Sequence, residues 1–249
     1  MFTNDFYKIT LNHKVADGKE GKMSLVGVGL YTFPEASKLA NIPARDLRRW
    51  LDGYSYKDRK SKERIESTPL WDTELADEEI EGISFHDLLE VRFVNAFRSH
   101  GVSLQTIRSA SQHARELFNH PYPFTCKRFR TDGRTIFAEA LEENGETQFL
   151  DLVRKQYAFA QVIQASLYRG IEFGENDLAL RWFPMGGKSV VLDPQIAFGK
   201  PIVTNVGIRT STLYDALKAE GDKHTVARLY EIPVSAVEAA VAFEERLAA

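Results

Sequence analysis

Residues 32–51, TFPEASKLANIPARDLRRWL, decide the fold of the N-terminal half of the chain. Thr32 stands three residues before Glu35, which is the spacing of a capping box. Pro43 suits the first turn of a following helix, because the N–H it lacks would have no partner there. The segment therefore predicts two short helices joined by a tight turn, the layout of a helix-turn-helix. The apolar residues that face inward in this layout are Ala36, Leu39, Ile42 and Leu47.

Two longer helices are predicted next. Apolar residues recur at helical spacing after Ser84, an N-cap candidate, and the pattern ends at His100-Gly101, a typical helix stop. A second such pattern runs over residues 103–119 and ends where His120-Pro121-Tyr122-Pro123 begins.

Strand and helix patterns alternate in the second half of the chain. Apolar residues alternate on either side of Thr131-Asp132-Gly133, which predicts a hairpin of residues 125–130 and 134–141. The remaining predictions are a helix over 148–167, strands over 168–173, 178–183 and 189–192, and helices over 212–219, 222–230 and 234–247.

The predicted fold class is mainly α with small β elements. From the N-terminus we expect a flexible arm without helix or strand periodicity, a winged helix-turn-helix domain, a middle α+β region and a small C-terminal helical domain. No internal repeat is evident. The corresponding ranges are 1–27, 28–120, 121–187 and 188–249.

Composition excludes several classes of protein. The chain has 249 residues, of which 43% are hydrophobic and 27% charged, so it can bury a core and is not wholly disordered. Its single cysteine, Cys126, can form neither an internal disulfide nor a cysteine-based metal site. No apolar run reaches the ~18 to 20 residues of a membrane-spanning helix. We expect a cytoplasmic protein that does not enter a membrane.

The formal net charge of −3 conceals an uneven distribution. Residues 45–64 hold eight basic and four acidic residues, whereas residues 66–81 hold seven acidic residues and no basic one. Such runs are often only solvated faces. Here the basic run overlaps the second helix of the helix-turn-helix and the loop after it, where contacts to phosphates and bases would be needed. An alternative for the acidic run is a segment that contacts a basic partner or competes with DNA for the basic face.

The basic run supplies the candidate DNA-binding residues. Arginine suits bidentate recognition of guanine, and lysine suits contact with phosphates. Trp50, in the same helix, is expected to pack in the core. The candidates are Arg45, Arg48, Arg49, Lys57, Arg59, Lys60 and Lys62.

Sites for catalysis, metals and cofactors are not expected. Gly186-Gly187-Lys188-Ser189 resembles the end of a phosphate-binding loop, but Trp182 stands where that motif requires its first glycine. The six histidines lack metal-ligand spacing, and no Ser or Cys lies in a nucleophile-elbow pattern. We therefore predict a protein that is not an enzyme.

Two motifs resemble MerR-type winged helix-turn-helix regulators. They are residues 31–40 followed by Leu47-Arg48-Arg49-Trp50, and the stretch HGVSLQTIR at residues 100–108. The resemblance covers about residues 30–119 and implies that the stretch from Lys57 to Arg64 occupies the wing. The chain departs from MerR regulators where they carry a long dimerisation helix and an effector site.

The last sixty residues resemble a small helical domain family of unknown function, whose stand-alone members are taken to be antitoxins of PIN-domain toxins. The matching motifs lie in residues 193–203, 207–212, 226–230 and 234–242. Members of that family favour a sequence similar to Arg-Gly-Thr-Arg here. Residues 204–209 of this chain lack the first Arg of that sequence but keep Arg209, which is a candidate partner-binding residue.

A chain that joins a MerR-like N-terminal region to this C-terminal domain resembles the longer VapB-type antitoxins. This resemblance implies a homodimer that binds and neutralises a PIN-type ribonuclease toxin and binds operator DNA to autorepress its operon. The alternatives are a MerR-like regulator with a ligand pocket in residues 121–185 and a protein-interaction adaptor that does not bind DNA.

Overall fold

The structure is a computed structural model that describes residues 10–14, 20–24, 27–57, 62–75, 80–145 and 167–248. Its elements confirm a mainly α fold with small antiparallel strand pairs. The predicted helix over 148–167 lies almost wholly outside the described residues.

The predicted helix-turn-helix is present. Helix α1 (Phe33–Ala40) starts with the predicted capping box, in which the Thr32 hydroxyl accepts from Glu35 N and the Glu35 carboxylate accepts from Thr32 N. Helix α2 (Ala44–Leu51) starts one residue later than expected, with Pro43 as its N-cap. Between the helices the chain turns at Asn41, whose φ is 54°.

A wing follows α2, as the fold class predicts. Strands β3 (Tyr54–Lys57) and β4 (Arg64–Ser67) pair antiparallel, with Tyr54 opposite Ser67 and Lys57 opposite Arg64. Gly53 makes the turn into the wing with φ +75°, and a Cβ there would lie 2.5 Å from the carbonyl oxygen of Ser67.

Three longer helices form the centre of the fold. Ser84 is the N-cap of the first, as predicted, and Ser103, expected at the start of the second, is its N-cap. One hydrophobic core continues from α1 to Leu192, so the helix-turn-helix and the middle region share it. The helices are α3 (Phe85–Ser99), α4 (Leu104–Phe118) and α5 (Phe129–Glu143).

Helix α5 contradicts the hairpin predicted over 125–141. The buried residues Phe129, Ile136, Phe137 and Ala140 recur at helical spacing, and Phe129 and Phe137 pack in an aromatic cluster. Gly133, interpreted as a turn residue, lies inside the helix. A Cβ at Gly133 would lie 2.7 Å from the ring of Phe129. The glycine is therefore a packing residue for that ring.

The N-terminal arm also differs from prediction. No strand was expected there, yet β1 (Thr10–Lys14) and β2 (Glu20–Ser24) form an antiparallel pair with Thr10 opposite Ser24. The run of mixed polar residues shows no alternation, so the pairing has no signal in the hydrophobic pattern.

The C-terminal half contains the three predicted strands and three predicted helices, together with one strand, β8, that was not predicted. Strand pairs occur at β5 (Ile171–Phe173) with β6 (Ala179–Trp182), and at β7 (Val190–Val191) with β8 (Ile202–Val203). The three predicted tail helices pack around a second core that includes Leu213, Val226 and Val237. These helices are α6 (Thr210–Glu220), α7 (Lys223–Leu229) and α8 (Val234–Ala248).

Polar contacts join the tail to the start of α1. The buried Tyr31 hydroxyl donates to the carbonyl oxygen of Gly199 at 2.6 Å, and Leu30 N donates to Phe198 O at 3.0 Å. The Lys200 ammonium donates to both carboxylate oxygens of Glu35 at 2.6 Å. The residue that caps α1 therefore also binds the C-terminal unit.

We predict that Gly53→Ala destabilises the fold. The left-handed φ and the clash with Ser67 O together should cost about 1–3 kcal/mol in the free energy of unfolding. Urea denaturation measures the change. Gly187→Ala, whose Cβ would meet nothing within 4 Å, should leave stability unchanged. Equal effects of the two substitutions would contradict the account of the wing.

Candidate nucleic-acid interface

Helix α2 has one buried and one exposed face. Leu47, Trp50 and Leu51 are at most 7% exposed, which confirms the packing role expected for Trp50. Arg45, Arg48 and Arg49 fall at positions i, i+3 and i+4 and are exposed. Side chains with this spacing lie on one side of a helix, so the three guanidinium groups share the solvent face.

Two of the three arginines are held in place by neighbours. The Arg48 guanidinium lies 4.2 Å from the centre of the Phe33 ring and donates from Nη2 to Glu81 Oε1 at 2.5 Å. The Arg49 guanidinium lies 4.1 Å from the centre of the Tyr54 ring. These contacts orient the arginines while leaving them at the surface.

Arg45 is the most exposed of the three. Its side chain is 84% exposed and its nearest ion-pair partner is the adjacent Asp46, at 3.7 Å. An exposed pair at this distance contributes little to stability. Arg45 is therefore available to an anionic partner.

The wing adds two like charges that face each other across the strands. Lys57 and Arg64 stand directly opposite each other in the β3–β4 pairing. Like charges in this position destabilise a hairpin unless an anion binds near them. Lys62, with φ 63°, lies just before β4. Arg59 and Lys60 lie outside the described residues.

Arg108 is a positioning residue that the sequence analysis did not single out. From α4 it donates to Thr68 O at 2.8 Å and to Pro69 O at 2.5 Å, while Leu70 N donates to Trp50 O at 2.8 Å. These bonds fix the segment that leaves the wing, residues 68–70, relative to α2. A contact across forty residues leaves no local signal in the sequence.

The acidic run reaches the basic face at one described point. Glu81 is 72% exposed and forms the ion pair with Arg48. Asp52, the C-cap of α2, is near both; partial burial, together with Glu81, raises the pKa of its carboxyl although Arg48 lowers it. Residues 76–79 of the run lie outside the described part of the chain.

Arg209 lies at a different site, beside a cavity of about 210 Å³ between α1 and the tail helices. It is exposed, and it is the N-cap residue of α6 without a side-chain capping bond. Glu35, Lys200 and Glu244 also line this cavity. Although partial burial acts to raise it, the hydrogen bonds from Lys200 and Thr32 hold the pKa of Glu35 below its usual value.

The described residues contain no group of three or more His, Cys, Asp or Glu side chains that could hold a metal ion. None of the helices described is long and apolar enough to cross a membrane.

Two family models match parts of this chain. Residues 29–111 match a family model described as "Putative DNA-binding HTH domain". This range includes α1, α2, the wing, α3 and half of α4. Residues 190–243 match a second model, a family described as a protein of unknown function (DUF433).

Two relatives extend the similarity over most of the chain. A protein named "Putative antitoxin VapB45" from Mycobacterium tuberculosis (strain ATCC 25618 / H37Rv) is 28% identical over 217 residues, which are 82% of this chain and 89% of that protein. The X-ray crystal structure of Rv2018 from Mycobacterium tuberculosis superposes with a TM-score of 0.62 at 25% identity, covering 86% of this chain and 98% of that chain.

We predict that a substitution on the buried face of α2 lowers the free energy of unfolding much more than substitutions on its exposed face. Trp50→Ala should cost about 3–5 kcal/mol, because it opens a cavity beneath the helix. Arg45→Ala, Arg48→Ala and Arg49→Ala should each cost less than about 1 kcal/mol, because exposed ion pairs and cation–π contacts are weak. Urea denaturation of the four variants measures this. A large loss for an arginine variant would mean that its side chain is structural.

Proposed function

We propose that the protein is a DNA-binding antitoxin that represses its own operon. The single observation that carries the DNA-binding part is the solvent face of α2, which holds three arginines beside a wing with two opposed cations. The match of residues 29–111 to a DNA-binding helix-turn-helix family supports it.

In this proposal α2 enters the major groove and the wing contacts the adjacent backbone. Arg45, Arg48 and Arg49 contact base edges, for which a guanidinium is well shaped. Lys57, Arg59, Lys60 and Lys62 neutralise phosphates. Glu81 competes with DNA for Arg48, since an ion pair that exists in the unbound protein must break before Arg48 contacts a base.

The second part of the proposal concerns a protein partner. The similarity to a protein named "Putative antitoxin VapB45" supports a toxin as that partner. The resemblance of the last sixty residues to antitoxins of PIN-domain toxins adds that the toxin is a PIN-type ribonuclease, which the C-terminal domain would bind and neutralise. Such nucleases hold their metal in an acidic pocket, and an inserted cation can replace the charge of that metal. Arg209, exposed at the cavity, is the proposed partner-binding residue. The protein would act in the cytoplasm as a homodimer and a binding protein rather than an enzyme.

We predict that the α2 arginines determine DNA affinity. In a mobility-shift assay on DNA upstream of its own gene, the triple variant Arg45→Ala, Arg48→Ala, Arg49→Ala should bind at least ~100-fold more weakly, because each good base contact contributes about 1–3 kcal/mol. Glu81→Gln should tighten binding by up to ~5-fold, because an exposed ion pair is worth at most about 1 kcal/mol.

Arg134→Ala is the matched control, since Arg134 is an exposed arginine on α5, away from α2 in sequence. It should bind DNA as the unmodified protein does. Wild-type affinity should also fall steeply between ~50 and 200 mM salt through release of counterions. Unchanged affinity of the triple variant would overturn the groove assignment, and absence of any DNA binding would favour an adaptor.

We predict that the chain inhibits a PIN-type ribonuclease encoded by an adjacent gene. The two proteins should co-purify, and adding the chain should stop cleavage of RNA. Arg209→Glu should weaken inhibition at least ~10-fold by reversing a charge that faces the acidic pocket. Full inhibition by this variant would remove Arg209 from the interface, and failure of the wild-type chain to inhibit would contradict the toxin assignment.

A further inference from the structure

Among the described residues, the same kind of turn joins three pairs of helices. In each, a residue with positive φ precedes an apolar residue whose N–H donates five residues back, which is a common way for a helix to end. Ile42 N donates to Ser37 O at 3.0 Å, Val102 N to Phe97 O at 3.1 Å and Ile232 N to Ala227 O at 2.9 Å. The first and third turns also share the dipeptide Ile-Pro, at 42–43 and 232–233.

The three turns differ in the burial and polarity of the two residues that precede the left-handed residue. Before the first turn, Leu39 and Ala40 are half-buried and pack against the main core. Before the second turn, Ser99 and His100 are exposed and polar. The third turn is exposed and apolar: Leu229 is 61% exposed and Tyr230 is 38% exposed.

The third turn also carries an unfavourable backbone choice. The left-handed residue is Asn41 in the first turn and Gly101 in the second, and both types tolerate positive φ. In the third it is Glu231, with φ 54°. An extended charged side chain in this conformation is strained, and such strain commonly marks a functional position.

The helix after the third turn does not suit DNA. Relative to the turn, the positions of Arg45, Arg48 and Arg49 correspond to Ser235, Glu238 and Ala239. Glu238 forms an ion pair with Lys223 across the start of α7 and α8. The α7–α8 pair therefore lacks the cations that α2 presents, which favours a protein partner.

The surface around this turn, here called the tail patch, carries both signs of charge. Arg228 and Glu231 are exposed and lie three residues apart, on either side of Leu229 and Tyr230. The Arg228 guanidinium donates from Nη2 to Thr225 Oγ1 at 3.3 Å. An open groove lies at the same place. The tail patch consists of Leu229 and Tyr230 together with the groove residues His224, Ala227, Arg228, Glu231, Ile232, Pro233 and Val234.

We propose that the tail patch is the surface through which two copies of this chain pair. Charge complementarity favours a second copy over a partner of one charge, because a two-fold axis through the patch places Arg228 of one chain against Glu231 of the other. The same axis buries Leu229 and Tyr230 of both chains against each other. The proposal names the interface of the homodimer in the proposed function and rests on that homodimer, but not on DNA binding.

Sedimentation velocity of the full chain without DNA tests this. The wild-type chain should be a dimer. Arg228→Glu and Glu231→Arg should each raise the dissociation constant of the dimer at least tenfold, because each places like charges across the axis. An equimolar mixture of the two variants should recover the dimer. Leu229→Ser should also weaken it, whereas Leu117→Ser, at a residue 58% exposed on α4, should not.

Glu231→Asn separates pairing from folding. Asparagine tolerates positive φ, so the unfolding temperature of the variant should hold or rise while its dimer weakens. A dimer that persists in Arg228→Glu, or a variant mixture that stays monomeric, would overturn the tail patch as the interface while leaving a homodimer in place. A wild-type monomer at micromolar concentration would overturn the homodimer as well. A monomer that binds a PIN-type ribonuclease through Leu229 would assign the patch to that partner instead.

Discussion

Burial of Leu47, Trp50 and Leu51 is the constraint on which the DNA-binding geometry depends. Helix α2 has only eight residues, and these three side chains occupy its buried side. Arg45, Arg48 and Arg49 therefore lie together on the side that faces solvent. The turn into the wing is made by Gly53, two residues after α2 ends, and any other residue at this position would be strained. The core thus determines both which side of α2 is presented and where the wing lies beside it.

The carboxylate of Glu35 links this geometry to the rest of the chain. It caps α1 through Thr32 and accepts both hydrogen bonds from Lys200, while Tyr31 donates to Gly199. The first helix of the DNA-binding motif is therefore held at its N-terminus by the segment that leads into the tail helices. A protein bound to the tail would act on residues that directly contact α1.

Local sequence signals predicted most of the helices. Ser84 caps α3 as expected, α4 begins next to Ser103, and all three tail helices are present, while the wing was implied by the resemblance to MerR-type regulators. The hairpin over 125–141 failed because Gly133 has the composition of a turn, although Phe129, Ile136, Phe137 and Ala140 recur at helical spacing around it. Other features were missed because they are long-range. The Arg48–Glu81 and Arg108–Thr68 contacts join residues 33 and 40 positions apart, so no window of sequence contains them.

Site-specific cross-linking tests the central claim, that α2 enters the major groove, most directly. Cys126 is the chain's single cysteine and is 2% exposed, so an introduced cysteine is the reactive one. Arg45→Cys should form a disulfide with DNA that carries a mixed-disulfide tether on a base edge in the major groove, by an exchange that releases the small thiol of the tether. Leu117→Cys, on α4, should not. We predict that position 45 cross-links, and that the cross-linking depends on which groove of the DNA carries the tether. Its absence, in DNA that the protein still binds, would contradict the account.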